Sequence, residues 1–148
     1  MSATDSYSGN RAARSLDSAV LLFARLAIAP LYLYSGIGKV MAFSTTAGRL
    51  YGGADGFGAV LAAGAVAVEL GCGAALLLGL FARQAALALI CFTIAATLMF
   101  HNFWAAPEAQ MVTQTINFLK NLGLIGGLAL VACHGAGRYA ADGGRKRD

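Results

Sequence analysis

The chain has 148 residues, of which 58% are hydrophobic and only 12% are charged. A water-soluble domain has roughly 25% charged residues, so this composition excludes an ordinary soluble enzyme and predicts a small integral membrane protein without room for a second domain. The net charge of +4 comes mostly from the chain ends, which indicates membrane topology rather than nucleic-acid binding.

The first part of the chain is predicted to be a polar segment followed by a helix. Residues 1–18 lack the pattern of a cleaved signal peptide, and we expect them to be disordered or to lie on the membrane surface. The first transmembrane helix is predicted over residues 19–40 and should act as an uncleaved signal. Its polar side chains follow a helical stripe that includes Arg25, Tyr32 and Lys39. Lys39 comes at the outer end, where a lysine can snorkel.

The second helix, predicted over residues 58–80, carries a single charge. At about 1.5 Å per residue it is long enough to cross a bilayer. The charged residue, Glu69, falls near the middle of the helix. A carboxylate in hydrocarbon costs on the order of 2.5–3.5 kcal/mol on insertion scales. Glu69 should therefore face protein or water and have a partner.

Two further helices are predicted over residues 84–104 and 112–133. The third helix repeats a polar residue every four positions on one face and ends with His101 near an aromatic pair at interface depth. The fourth helix has polar residues in its first half. They include Asn117, Lys120 and Asn121.

Four spans place both termini on one side of the membrane. The basic residues concentrate on that side, so the positive-inside rule predicts cytoplasmic termini. The predicted fold is an all-α antiparallel bundle of four transmembrane helices. The membrane domain covers residues 19–134, between the polar N-terminal segment of residues 1–18 and a basic cytoplasmic tail of residues 135–148.

Depth along the helices suggests which cations lie near Glu69. Counting at about 1.5 Å per residue puts Lys120 close to the depth of Glu69 and Arg25 roughly 8 Å deeper, within reach of its long side chain. Asn117, Asn121, Tyr32 and Thr97 are predicted hydrogen-bonding neighbours. The sequence leaves open whether Glu69 pairs with Arg25, with Lys120 or with both.

Two interpretations of this polar centre remain open. In the first, the charges pair and fix the helix order, because unpaired buried charges cost too much. In the second, two cations for one acid leave excess positive charge in a pocket that opens outward and binds a quinone or a small inorganic anion. His101 would then exchange protons near neutral pH. The candidate residues are Arg25, Tyr32, Lys39, Glu69, His101, Asn117, Lys120 and Asn121.

Other chemistry has no clear signal in the sequence. His101 and His134 are predicted on opposite sides of the membrane, so no metal site is expected. The three cysteines fall in apolar runs without a C-x-x-C pair and are interpreted as packing residues. No catalytic residue is assigned.

Several segments resemble the DoxX family of four-helix bacterial membrane proteins. They are RLAIAPLYLYSGIGKVMAF at 25–43, VELGCGAALLLGLFAR at 68–83, HNFW at 101–104 and FLKNLGLIGGLAL at 118–130. In this resemblance, twelve residues of the chain match positions of the family's motifs. These residues are Arg25, Ser35, Gly36, Lys39, Glu69, Gly73, Leu78, Gly79, Arg83, His101, Lys120 and Asn121.

The resemblance implies a multi-pass protein of the bacterial inner membrane that serves as a subunit or accessory of a redox system. One related branch is a subunit of a thiosulfate:quinone oxidoreductase, and other members are linked to oxidative-stress complexes and to quinone or catechol resistance. The chain would be at most a membrane subunit of a quinone-linked oxidoreductase, with quinone as its ligand. The alternatives are a non-enzymatic anchor or assembly partner for a soluble oxidoreductase, contacted by the basic tail, and a small-solute permease. A homo-oligomer is a further expectation.

Overall fold

The computed structural model describes residues 3–141, with side chains described for residues 15–141. This part of the chain is helical and contains no strand. Four of its segments are long and apolar enough to cross a membrane, by length and composition. The predicted all-α, four-span architecture is therefore confirmed.

Helix α1 runs without interruption from Ala3 to Met41. Its apolar, membrane-length part is Ser15–Met41. The helix thus begins well before residue 19, and the polar segment from residue 3 onward is helical rather than disordered. Once a helix is formed, each added residue gains one hydrogen bond, so the apolar span can extend into its polar flank. Pro30 lies inside the helix without ending it.

The second span is built from three helical pieces. Helix α3 (Phe57–Ala67) continues through a π-helical turn (Val68–Cys72) into helix α4 (Gly73–Leu78). A short helix α2 (Phe43–Gly48) precedes it and packs against α3. The π turn lies at the middle of the span and contains the charge that the sequence analysis singled out.

The remaining spans are α5 (Ala82–Phe100) and α6 (Glu108–His134), joined by a 3-10 turn at Phe103–Ala105. α6 packs most extensively on α5, and α1 contacts α4, the π turn and α6. Below, the outer end is the end where α1 finishes and α6 begins, and the inner end is the opposite one. These two names follow the predicted topology, in which the cytoplasmic location of the termini stays a prediction.

The apolar core lies mostly in the inner half of the bundle, where all four spans contribute side chains. Its larger members are Ile28, Tyr32, Leu76, Leu89, Leu128 and Val131. Buried polar residues occur towards both ends: Glu69 and Thr97 come from the outer half, and Ser18 and Arg25 from the inner end. The apolar core lies between these two polar groups, and the outer group contains the candidate site.

The chain after α6 folds back onto the inner end. Gly135 and Gly137 have positive φ values of 84° and 75° and turn the backbone away from the helix axis. The backbone N–H of Ala141 donates to the carbonyl of Leu78 at 2.9 Å. The N–H of Arg138 donates to Ser18 Oγ at 3.3 Å. The first seven residues of the predicted tail, 135–141, are thus docked on the bundle, and the rest lies outside the described residues.

Candidate functional site: an ion pair at a π-helical turn

Glu69 is buried in the π-helical turn and pairs with Lys39. The ammonium of Lys39 lies 2.9 Å from Oε1 and 2.8 Å from Oε2 of Glu69. The Oε1 contact is a hydrogen bond, whereas the Oε2 contact is ionic without hydrogen-bond geometry. Ser35 Oγ donates to Oε1 at 3.0 Å and accepts from Lys39 Nζ at 2.7 Å. Three side chains from two spans therefore bond to one another.

A close approach of α1 to the π turn makes this triad possible. A Cβ at Gly36 would lie 2.7 Å from Leu70 Cδ2 and 3.2 Å from Glu69 Cβ. Only glycine leaves this space, and the approach brings Ser35 and Lys39 within reach of the carboxylate. π-helical turns are frequent at functional sites, and here the turn carries the buried acid.

The partner of Glu69 thus differs from both cations considered in the sequence analysis. Lys39 comes from the outer end of α1, and 27% of its side chain is exposed, against 4% for Glu69. Lys39 was expected to snorkel outward, but its ammonium turns inward. The physical reason is that a buried carboxylate without a cation is far more costly than the partial burial of a lysine stem.

Arg25 lies at the inner end and forms no pair with Glu69. It is fully buried, and its Nη2 donates to the carbonyl of Tyr139 in the docked C-terminal segment. The guanidinium packs so closely against Gly79, after the end of α4, that a Cβ there would overlap Nη1. The C-terminal end of α4 carries partial negative charge. This charge stabilises the Arg25 guanidinium at the inner end, away from Glu69.

Lys120 lies on the exposed face of α6, although it is next to Asn121 in the sequence. Successive residues of a helix are about 100° apart, and the inward position belongs to Asn121, whose Nδ2 donates to Thr97 Oγ1 at 2.8 Å. Asn117 is half-buried. The predicted electrostatic centre of Arg25, Glu69 and Lys120 therefore does not form.

A second polar group joins α1, α5 and α6. Thr93 Oγ1 donates to the carbonyl of Leu89 at 2.6 Å, so the Tyr32 hydroxyl, 2.6 Å from Thr93 Oγ1, is the donor of that pair. Thr97 Oγ1 donates to the carbonyl of Thr93 at 2.6 Å. Thr93 was absent from the predicted site. The four-residue repeat of Thr93, Thr97 and His101 was its signal in the sequence.

The outer end of this group is formed by His101 and aromatic side chains. His101 Nδ1 lies 2.8 Å from Gln114 Oε1, which makes Nδ1 the donor. Phe103, Trp104 and Phe118 pack edge to face, with ring centroids 5.2 to 6.0 Å apart. Aromatic rings of this kind are common at the membrane interface.

The family model described as DoxX matches residues 20–102, a range that contains the whole Lys39–Ser35–Glu69 triad. The chain belongs to the DoxX family. A family model described as the SURF4 family matches residues 64–147. No solved structure matches the chain.

Two relatives are inner membrane proteins of Escherichia coli strain K12. The chain is 28% identical to inner membrane protein YphA over 123 residues, covering 83% of this chain and 88% of the relative. It is 30% identical to inner membrane protein YqjF over 129 residues, covering 87% of this chain and 94% of the relative. Together with the four apolar spans, this similarity identifies a multi-pass protein of the bacterial inner membrane.

Proposed function

We propose that this DoxX-family protein is a membrane subunit or accessory of a redox system, and that the outer half of its bundle binds the head group of a quinone. The proposal depends on one observation: Glu69, buried in a π-helical turn, is paired with Lys39, whose side chain is 27% exposed. Glu69 is thus shielded from solvent, whereas a ligand can reach Lys39. An ion pair that only holds two helices together does not need one exposed residue.

The pairing favours a neutral ligand over an anion. The argument for anion binding was an excess of positive charge in the outer half. The charges of Lys39 and Glu69 cancel each other there. Arg25 lies at the inner end, and the side chain of Lys120 is exposed on α6. A quinone carries no charge and presents two carbonyl oxygens, which require hydrogen-bond donors.

Lys39 is the residue on α1 that can donate to such a head group, because an ammonium has three N–H groups. Tyr32 and Ser35 align with it by three- and four-residue spacing, and their hydroxyls donate to Thr93 and Glu69. We propose that Lys39 donates to one quinone carbonyl while it stays bonded to Glu69. The Tyr32–Thr93 pair, one turn deeper, and the Thr97–Asn121 bond would line the site. A bound quinone would supply the capacity to accept electrons and protons.

The chain's own residues would bind the quinone and handle protons. The Nδ1 of His101 is bonded to Gln114, and its other ring nitrogen would pass protons between the site and water at the outer end. No residue is assigned a catalytic role. Electrons would pass between the quinone and a partner oxidoreductase, either a soluble enzyme or another membrane subunit.

The direct test is the binding of a fluorescent quinone analogue to the purified full chain in detergent. The test variant is the double substitution Lys39→Met/Glu69→Gln, which removes both charges together and so leaves no unpaired charge. The matched control is Lys120→Met, the same lysine change on an exposed position. We expect saturable binding by the wild type and by the control, and at least a ten-fold weaker affinity for the double variant.

Thermal unfolding recorded on the same samples separates binding from folding. Absence of saturable binding by the wild type would refute the proposal. So would equal losses of affinity in the double variant and in Lys120→Met. If the double variant binds like the wild type and only melts at a different temperature, the polar group has a structural role.

A further inference from the structure

The docked C-terminal segment brings two distant parts of the chain together at the inner end. The side chain of Arg83, in the first turn of α5, lies against Gly135, where a Cβ would be 3.3 Å from the Arg83 Nε. Further along the segment, a Cβ at Gly79 would lie 3.0 Å from the Cα of Ala140. Residues 135–141 therefore run beside the turn that joins α4 to α5.

Four exposed side chains border this contact, two arginines and two aromatic residues. They are Phe81, Arg83, Arg138 and Tyr139, and together they are called the inner-end patch. An extended chain covers the step from Gly135 to Arg138 in at most about 11 Å. The two arginines therefore belong to one patch rather than to opposite sides of the bundle.

The inner-end patch carries positive charge that no described acid neutralises. Within residues 15–141 the one ion pair is Lys39–Glu69, at the other half of the bundle. Asp17 is the acid at the inner end whose side chain the structure describes, and it pairs with neither arginine. The guanidinium groups of Arg83 and Arg138 are thus exposed and available to a ligand.

The inner-end patch lies at the level where the spans end. α4 finishes at Leu78, α5 begins at Ala82 and α6 finishes at His134. The side chain of Phe81 is 71% exposed and that of Tyr139 is 55% exposed. Aromatic rings at this level lie among the lipid head groups, where an apolar ring avoids contact with bulk water.

We infer that the inner-end patch binds an anionic phospholipid. The guanidinium groups of Arg83 and Arg138 would contact the phosphate, and the rings of Phe81 and Tyr139 would lie against the glycerol and the start of the acyl chains. A guanidinium matches a phosphate with two parallel hydrogen bonds. An anionic head group also adds no cation of its own to compete with the arginines, as a choline head group does.

The two aromatic rings favour a lipid over a soluble partner. A soluble protein with an acidic surface would match the arginines, but it would have to displace head groups to reach rings at the end of the spans. Anionic lipids attract basic residues at the membrane surface without that cost. The lipid therefore accounts for the charge and for the aromatic residues together.

This lipid site goes beyond the proposed function and is separate from the quinone site. The inner-end patch and the Lys39–Glu69 pair belong to opposite halves of the bundle. The substitutions below leave Lys39 and Glu69 unchanged. Loss of lipid preference and loss of quinone binding are therefore independent outcomes.

The experiment measures which lipids contact the inner end, by quenching of tryptophan fluorescence. Trp104, the only tryptophan of the chain, is replaced by phenylalanine, and Leu87→Trp supplies the reporter. Leu87 is 55% exposed and lies one turn from Arg83 on the same face of α5. The full chain is placed in phosphatidylcholine vesicles that contain brominated phosphatidylglycerol or brominated phosphatidylcholine. We expect the relative binding constant to favour phosphatidylglycerol at least three-fold.

Two pairs of substitutions with the same loss of charge separate the patch from the net charge. In the reporter chain, Arg83→Gln/Arg138→Gln should lower the relative binding constant to about one. The matched control is Arg145→Gln/Arg147→Gln, which removes two arginines from the part of the tail beyond the described residues. We expect the control to keep at least a three-fold preference.

Two results would overturn the inference. Equal quenching by the two brominated lipids in the reporter chain would mean that the patch does not select an anionic head group, and a soluble acidic partner would become the candidate. Equal losses in the two glutamine pairs would mean that net charge alone attracts the lipid. If Arg83→Gln/Arg138→Gln does not fold, Arg138→Gln alone replaces it and should lower the preference at least two-fold, with Arg145→Gln unchanged.

Discussion

The outer and inner halves of the bundle each bury a cation of α1, and they do so with different partners. In the outer half, Lys39 meets the Glu69 carboxylate, and 27% of the lysine side chain is exposed. In the inner half, Arg25 is fully buried and donates to the backbone carbonyl of Tyr139. A guanidinium presents five donors in a planar fork and suits several acceptors, whereas an ammonium is a compact point charge.

This difference indicates a candidate binding site at the outer end and a purely structural contact at the inner end. The inner end is closed by the docked residues 135–141, which cover Arg25 and leave space only for a glycine at position 79. The outer end keeps a reachable ammonium beside a buried acid. The closed end is suited to holding the spans together, and the open end is suited to a ligand.

The largest expected effect comes from removing Lys39 alone. Lys39→Met leaves the Glu69 carboxylate buried without its cation, and breaking a buried pair in this way costs about 3–5 kcal/mol. Glu69→Gln should cost less, because the partly exposed Lys39 can turn outward to water. The measurement is reversible unfolding by SDS titration in mixed micelles, followed by circular dichroism.

The double variant sharpens this prediction. Lys39→Met/Glu69→Gln should recover a large part of the stability that Lys39→Met loses, because the effects of two contacting residues are not additive. Additive losses in the double variant would contradict a direct ion pair.

At the inner end, Gly79→Ala should be the most damaging glycine substitution. Gly79 has a φ of +78°, which costs an alanine roughly 1–2 kcal/mol, and the new Cβ would also overlap the Arg25 guanidinium. Gly64→Ala is the control, since it has open space and should gain about 0.5–1 kcal/mol of helix stability. The same SDS titration compares them. A Gly79→Ala variant as stable as wild type would show that Arg25 does not need this contact.

A smaller effect is expected at the boundary between the two halves. Tyr32→Phe removes the donor to Thr93, which still donates to the Leu89 carbonyl, so no buried donor is orphaned and the loss should be about 1 kcal/mol. Tyr34→Phe is the matched control, because Tyr34 is 83% exposed, and its unfolding midpoint should not move. Equal shifts in the two variants would argue against the Tyr32–Thr93 bond.

Much of the fold could be predicted because the bilayer restricts it. A span must be a long apolar helix, since backbone groups find no partners in hydrocarbon, and four such segments are visible in the sequence. Glu69 was also recognisable, because a lone acid in an apolar run must be buried with a partner. The location of the helix ends was less predictable, as α1 shows by extending to Ala3.

The partner of Glu69 could not be predicted by counting depth. Counting treats each span as a regular helix, whereas the second span contains a π-helical turn at Val68–Cys72, and it ignores how closely α1 can approach at Gly36. It also says nothing about the rotation of α6. The bond from Asn121 to Thr97 accompanies an exposed Lys120, and this removes one of the two cations that counting had placed near Glu69.

By itself, the sequence determined the membrane environment, the four spans and the presence of one buried acid, because all three follow from the cost of polar groups in hydrocarbon. Only the tertiary structure decided which cation meets that acid, and that Arg25 and Lys120 serve elsewhere. The rotation of each helix and the close approach of two helices depend on contacts between side chains far apart in the sequence. The residue pattern along a single helix does not predict these contacts.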